Sequence, residues 1–239
     1  MPILFLILTL SLMAHAGSEF NAEFGSVKNT YNKVRISGEE GTLFNLANSL
    51  AQENFYHRIS FSHKFKNKHG LRLLYAPLRL TGDDVYSQNI NFQGVQFNAN
   101  QKVETEYQFN SYRATYFYQI IDEAAWTARV GLSAKVREAK VKLTQNNVSK
   151  FKKNSGVVPL LYFYSEYKFS TGFRAALDFD GLAAPQGRAF DVAIMGGYYF
   201  SPQFHANLGF RMLEGGVDND TVYNFSQLNY LFTSLQINF

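Results

Sequence analysis

The chain has 239 residues, a formal charge of +4 and no cysteine, with 15 Tyr and 23 Phe. Without Cys there is no disulfide framework, no thiol chemistry and no Cys-based zinc site, and the scattered Lys and Arg form no basic stripe that would point to nucleic acid. The mean hydropathy of −0.20 is too low for a bundle of membrane helices, each of which needs about 20 mostly apolar residues.

Many aromatics with low hydropathy fit two architectures, a soluble β-sandwich and a membrane barrel whose strands give half their residues to a polar lumen. The chain opens on an apolar run, Ile3 to Met13, too short to span a bilayer and followed by Ala14-His15-Ala16. This pattern predicts a signal peptide over residues 1–16 and a mature domain over 17–239.

The mature part then divides into amphipathic segments. Strand one is expected over Glu19 to Ile36, with Phe20, Ala22 and Phe24 opposite Asn21 and Glu23, before a long polar loop over 37–54. Strand two, Phe55 to Phe65, sets Phe55, Ile59 and Phe61 against Tyr56, Arg58, Ser60 and Ser62, and a tight turn runs from Lys66 to Gly70. Strand three, Leu71 to Thr81, is apolar on both faces apart from Arg72 and Arg79, so its phase is ambiguous. The longest loop, 82–102, is rich in Asn and Gln; like 37–54 it reads as polar and low in aromatics.

Strand four, Val103 to Ile120, turns Tyr112, Ala114, Tyr116 and Tyr118 one way and Ser111, Arg113, Thr115 and Gln119 the other. Strand five alternates most cleanly: Trp126, Ala128, Val130, Leu132, Ala134 and Val136 oppose Thr127, Arg129, Gly131, Ser133, Lys135 and Arg137. A soluble sandwich would have to bury or expose that whole basic row, whereas a polar lumen accepts it. Strand six, Gly156 to Phe169, ends in Glu166 and Lys168, and strand seven, Phe173 to Leu182, opposes Arg174, Asp178 and Asp180 to Phe173, Ala175, Leu177 and Phe179. Strand eight, Arg188 to Phe200, points Asp191 inward; strand nine, Phe204 to Glu214, points His205, Asn207 and Arg211 inward; Glu214 to Asp220 is the last loop.

The terminal stretch Tyr230 to Phe239 alternates Leu231, Leu235, Ile237 and Phe239 with Ser234, Gln236 and Asn238. A strand that closes the chain on an aromatic residue resembles the ending of Gram-negative outer-membrane β-barrel proteins. The segments LAAPQGRAFD (182–191) and LEGGVDND (213–220) look like those of a group within that class that has no assigned activity. The resemblance implies that the assembly machinery reads Tyr230, Leu235, Ile237 and Phe239, and that outer-membrane lipids and lipopolysaccharide surround the protein in the cell outer membrane. The expected fold is all-β, a closed antiparallel up-and-down transmembrane barrel of ten strands, with short turns periplasmic and long loops extracellular.

Charge is densest in strands seven to nine. Arg58, Arg113, Arg129, Lys135, Arg137, Glu166, Arg174, Asp178, Asp180, Arg188, Asp191, Arg211 and Glu214 are expected to form a charged network that largely fills a narrow lumen. Asp218, Asn219 and Asp220 are a fragment of a calcium loop that lacks its remaining ligands, and neither metal nor cofactor is expected. His57 and His63 should face outward, His69 sits in a turn, and no Ser-His-acid set shares a rim. The lipid A deacylases of the class carry an H-x-S pair that is missing here. Asp178 and Asp180 mimic the inward Asp pair of omptin-type proteases, but the Asp-His partner is absent, so no catalytic residue is carried over. The leading expectation is a structural or narrow-passage outer-membrane barrel, anion-selective if it conducts. An enzyme acting on lipid or peptide at the extracellular rim is one alternative, and binding or adhesion through loops 37–54 and 82–102 is another.

Overall fold

A computed structural model describes residues 17–65 and 68–239; the predicted export segment 1–16 and residues 66–67 of the first turn lie outside the described part. In chain order the strands are β1 (Ser18–Ile36), β2 (Phe44–Asn45), β3 (Asn54–Lys64), β4 (His69–Ala76), β5 (Arg79–Val85), β6 (Ile90–Phe92) and β7 (Val95–Phe97). They continue with β8 (Lys102–Asp122), β9 (Trp126–Gln145), β10 (Val148–Lys168), β11 (Phe173–Ala184), β12 (Gly187–Tyr199), β13 (Phe204–Asp218) and β14 (Val222–Asn238). Each long strand pairs antiparallel with its neighbours, and β14 returns to pair with β1 from Val222↔Ile36 to Asn238↔Glu19. The ring is closed further by Gly17 N–H, which donates to the Phe239 carbonyl at 2.8 Å. Counting β4 and β5 as one wall strand, since both pair with β8, the barrel has ten strands. Closure of β14 onto β1 leaves neither the first nor the last wall strand as a free sheet edge.

Alternation sets the two faces. On β9, Val130, Leu132 and Val136 are exposed on the outside while Arg129, Ser133 and Lys135 are buried inside. The same holds on β8, where Tyr112, Tyr116 and Tyr118 face out and Arg113, Thr115 and Gln119 face in. Aromatic side chains gather at the short-turn end, including Phe65, Trp126, Tyr167, Phe169, Phe173, Tyr198, Phe200 and Phe239. Toward the long-loop end Tyr75 stacks on Tyr112, ring centroids 5.4 Å apart.

Four local expectations are corrected. Strand three is broken at Pro77 into β4 and β5, because proline has no N–H to give to the ladder. His69 belongs to β4, not to a turn, and its Nδ1 meets the Tyr116 hydroxyl at 2.5 Å. Strands five and six run on as a hairpin that turns at Asn146-Asn147, and β13 continues to Asp218, leaving only a short last loop. The fourth correction concerns loops 37–54 and 82–102, which fold together into a cap. The β6–β7 hairpin buries Ile90, Phe92 and Phe97 against Phe44, Leu46, Leu50 and Leu80. Asn98 N–H donates to the Gln145 side chain at 2.8 Å, tying the cap to β9. These loops are therefore apolar beneath a polar outer surface.

Candidate functional site

The middle of the barrel is closed by side chains from most of the wall. Asp191 of β12 accepts hydrogen bonds from Arg58 Nη2 at 3.0 Å, Arg113 Nη2 at 2.5 Å and Arg211 Nη1 at 2.5 Å. Asp180 of β11 accepts from Arg72 Nη2 at 2.5 Å, Arg113 Nη1 at 2.9 Å and the Ser133 hydroxyl at 2.5 Å. Glu23 of β1 accepts from Arg211 Nη2 at 2.8 Å and from the Tyr56 hydroxyl at 2.9 Å, with Arg58 Nε 3.6 Å away. Asp178 takes Arg72 Nη1 at 2.9 Å and lies 3.7 Å from Arg211. Each buried carboxylate thus faces at least two cations, the condition under which burying charge is tolerable.

A second layer lies nearer the short turns. Glu19 makes a two-pronged pair with Arg129. Glu166 pairs with Arg174 and accepts from Tyr164 at 2.7 Å and Tyr199 at 2.8 Å. Arg174 reaches on to Asn207 at 2.6 Å, and Asn207 donates to Ser234 at 2.9 Å. His205 is fully buried against Tyr199, centroids 4.4 Å apart, and neither ring nitrogen has a hydrogen-bond partner. Between these layers the lumen keeps voids of only about 60 and 30 Å³.

Glu19, Glu23 and Arg72 complete this network although they were not among the candidate residues. Glu19 and Glu23 were recognisable from alternation, being on the same face of β1 as Asn21. Arg72 was hidden by an apolar run that left its phase open. Arg188 and Glu214 are corrected: they pair with each other at 2.8 Å but on the outside of the wall. On β13 and β14, Leu213, Ser226 and Leu228 are buried inside, and Glu214 alternates with them. The Tyr31 hydroxyl donates to Glu214, and the Arg188 guanidinium lies 5.0 Å from the Phe225 ring. In the terminal strand Tyr230 packs inward on Tyr56, centroids 4.6 Å apart, while Leu235, Ile237 and Phe239 lie on the outer surface.

Six guanidiniums (Arg58, Arg72, Arg113, Arg129, Arg174, Arg211) are thus set against six carboxylates (Glu19, Glu23, Glu166, Asp178, Asp180, Asp191). Lys168 joins this set at the short-turn end, 3.6 Å from Glu166, and two further inward cations are Lys135 and Arg137. They border a cavity of about 340 Å³ on the long-loop side of the network, walled by Tyr107, Phe109, Val158, Leu182 and Leu213. Among the described residues no carboxylate pairs with either cation. Lys135 Nζ lies 4.9 Å from the Phe109 ring, and Arg137 donates to Asn154.

A general base needs a carboxylate or imidazole free to take a proton, whereas every lumenal carboxylate is engaged by guanidinium. His205 contacts neither Asp178 nor Asp191. Among the described residues no group of three metal-ligating side chains is gathered.

No protein-family model matches the sequence, and no curated protein matches it. Solved structures do. The outer membrane protease OmpT of Escherichia coli is 12% identical with a TM-score of 0.57, the match covering 93% of this chain and 96% of that one. Neisserial surface protein A is 14% identical over 94% of this chain and 98% of its own, at a TM-score of 0.42. Ail, the attachment invasion locus protein of Yersinia pestis, is 10% identical over 92% and 99%, at 0.41. At these identities the likeness to OmpT is one of fold, a closed antiparallel barrel.

Proposed function

We propose that the chain is an integral outer-membrane barrel whose lumen is sealed by its own side chains, so that it serves as a rigid carrier for an outer cap and side chamber and not as a diffusion pore. The observation that carries this reading is the Asp191–Asp180–Glu23 network, which joins β1, β3, β4, β8, β11, β12 and β13 across the interior. A ten-stranded barrel is only slightly wider than the eight-stranded kind that side chains nearly fill. The outer belt supports membrane insertion: Ile59, Leu73, Tyr116, Leu132, Leu161, Ile194, Leu208 and Leu231 are all exposed, an apolar surface far beyond the scattered patches of a soluble monomer. On this reading, lipids and lipopolysaccharide cover the belt, the assembly machinery reads the terminal strand, and residues 1–16 direct export.

The test is conductance of the detergent-purified protein in a planar bilayer, with location followed by fractionation of the source cells. The expected result is recovery in the outer-membrane fraction and no discrete steps. Stable, anion-selective steps would overturn the sealed lumen, and recovery in a soluble fraction would overturn the membrane reading.

A further inference from the structure

The wall has a seam. Strands β10 and β11 pair from Lys168↔Arg174 up to Leu161↔Gly181 and no further. Beyond that point β10 continues from Leu160 to Val148 paired only with β9, while Leu182 to Ala184 of β11 pair only with β12. An unpaired edge inside a barrel wall is unusual because its backbone groups lose their partners. Here Pro159 stands on that edge, where a residue without an N–H is tolerated. The outward residues beside the seam are apolar and exposed: Leu161, Pro159 and Val157. Inside it lies the cavity of about 340 Å³, which touches Val158 and Pro159 on one lip and Leu182, Ala184 and Gln186 on the other. The cap is tied to β1, to β9 and to the β13–β14 turn, and among the described residues no hydrogen bond ties it to β10 or β11.

The chamber is mainly apolar, with Lys135 and Arg137 on its floor, Asn224 and Ser226 among its polar lining, and the mutually paired Arg188 and Glu214 also bordering it. Lys135 is 3% exposed and lies opposite Arg113 in the ladder, yet it has no acidic partner among the described residues. Arg137 stands beside it with its Nε unpartnered. A buried ammonium next to a guanidinium is costly unless an anion neutralises it or it gives up its proton, and the volume is within the range of ligand pockets. From these features we infer that the chamber binds a long-chain carboxylate, with the carboxylate on Lys135 and Arg137 and the hydrocarbon tail passing through the β10–β11 seam. This inference rests on the membrane reading above, because the tail leaves toward lipid.

The test uses the full protein in phosphatidylcholine nanodiscs with spin-labelled stearate and its methyl ester, reading the immobilised fraction by electron spin resonance. The acid should associate at least tenfold more strongly than the ester. The double variant Lys135→Met/Arg137→Met should bring the acid down to the level of the ester, and Leu182→Trp should weaken both by filling the chamber. Replacing Lys135 by Met removes an uncompensated cation, so the variant is expected to fold, as its heat-modifiable gel migration will show. Equal association of acid and ester, or a double variant that behaves as wild type, would overturn the inference. Failure of the protein to enter nanodiscs would instead overturn the membrane reading; entry without any preference for the acid overturns this inference alone.

Discussion

Arg113 of β8 and Asp191 of β12 meet inside the barrel, Nη2 to Oδ2 at 2.5 Å, with both side chains almost completely buried. The two strands are not neighbours in the wall, so this pair braces the barrel across its interior. Asp191 also holds Arg58 and Arg211, while Arg113 also holds Asp180. The brace is therefore one node of a network and its members are unequal.

Removing Asp191 leaves three guanidiniums short of a partner. Breaking a single buried pair costs about 3–5 kcal/mol because one charge stays buried and uncompensated. Asp191→Ala should therefore destabilise by at least that much, and more than Arg113→Ala, which leaves Asp191 with two arginines and Asp180 with Arg72. Asp178→Ala should cost least, since Asp178 is the most solvent-accessible of the three aspartates. Urea unfolding midpoints, followed through Trp126 fluorescence, would rank them; an equal cost for all three would show that the network is not centred on Asp191.

The cap should be separable from the wall. Phe92 is fully buried between the β6–β7 hairpin and Phe44, ring centroids 6.4 Å apart. Phe→Ala in a packed core costs about 3–5 kcal/mol, and local units open before the whole fold does. Phe92→Ala should expose residues 86–101 to limited proteolysis while the barrel keeps its folded gel mobility. Loss of the barrel together with the cap would mean that the two fold as one unit.

Close packing on the inner wall predicts a third effect. Gly70 of β4 faces the Phe117 ring, and a Cβ at this position would sit 2.2 Å from Phe117 Cζ and 2.7 Å from the His63 carbonyl oxygen. The ring in turn lies 5.0 Å below the Arg129 guanidinium. Overpacking of this kind costs about 1–3 kcal/mol. Gly70→Val should lower the unfolding free energy by that amount, read from the shift of the urea midpoint, and Gly70→Val combined with Phe117→Leu should recover part of it. A double variant no more stable than the single one would place the strain in the backbone and not in the ring.

Period-two alternation was enough to read most of the barrel. Arg129, Ser133 and Lys135 declared the inner face of β9, since a strand offers only two faces and one was wholly apolar. The same counting, started from Asp191 and Arg211, would also have set Arg188 and Glu214 outside the wall. It could not resolve Arg72, flanked by Leu71, Leu73 and Leu74, because both faces of that run carry apolar residues. Nor could local spacing reveal the cap: Phe44, Phe92 and Phe97 are isolated in polar loops and become a core only when the loops meet. Ion pairing belongs wholly to tertiary structure. Glu23 and Arg211 are 188 residues apart in the chain and meet only because β14 closes onto β1. The strand faces, and through them the barrel, were written in the sequence. Closure and register decided which charges neutralise each other, leaving Lys135 and Arg137 beside an open seam, because charge pairing depends on distance across the barrel and not along the chain.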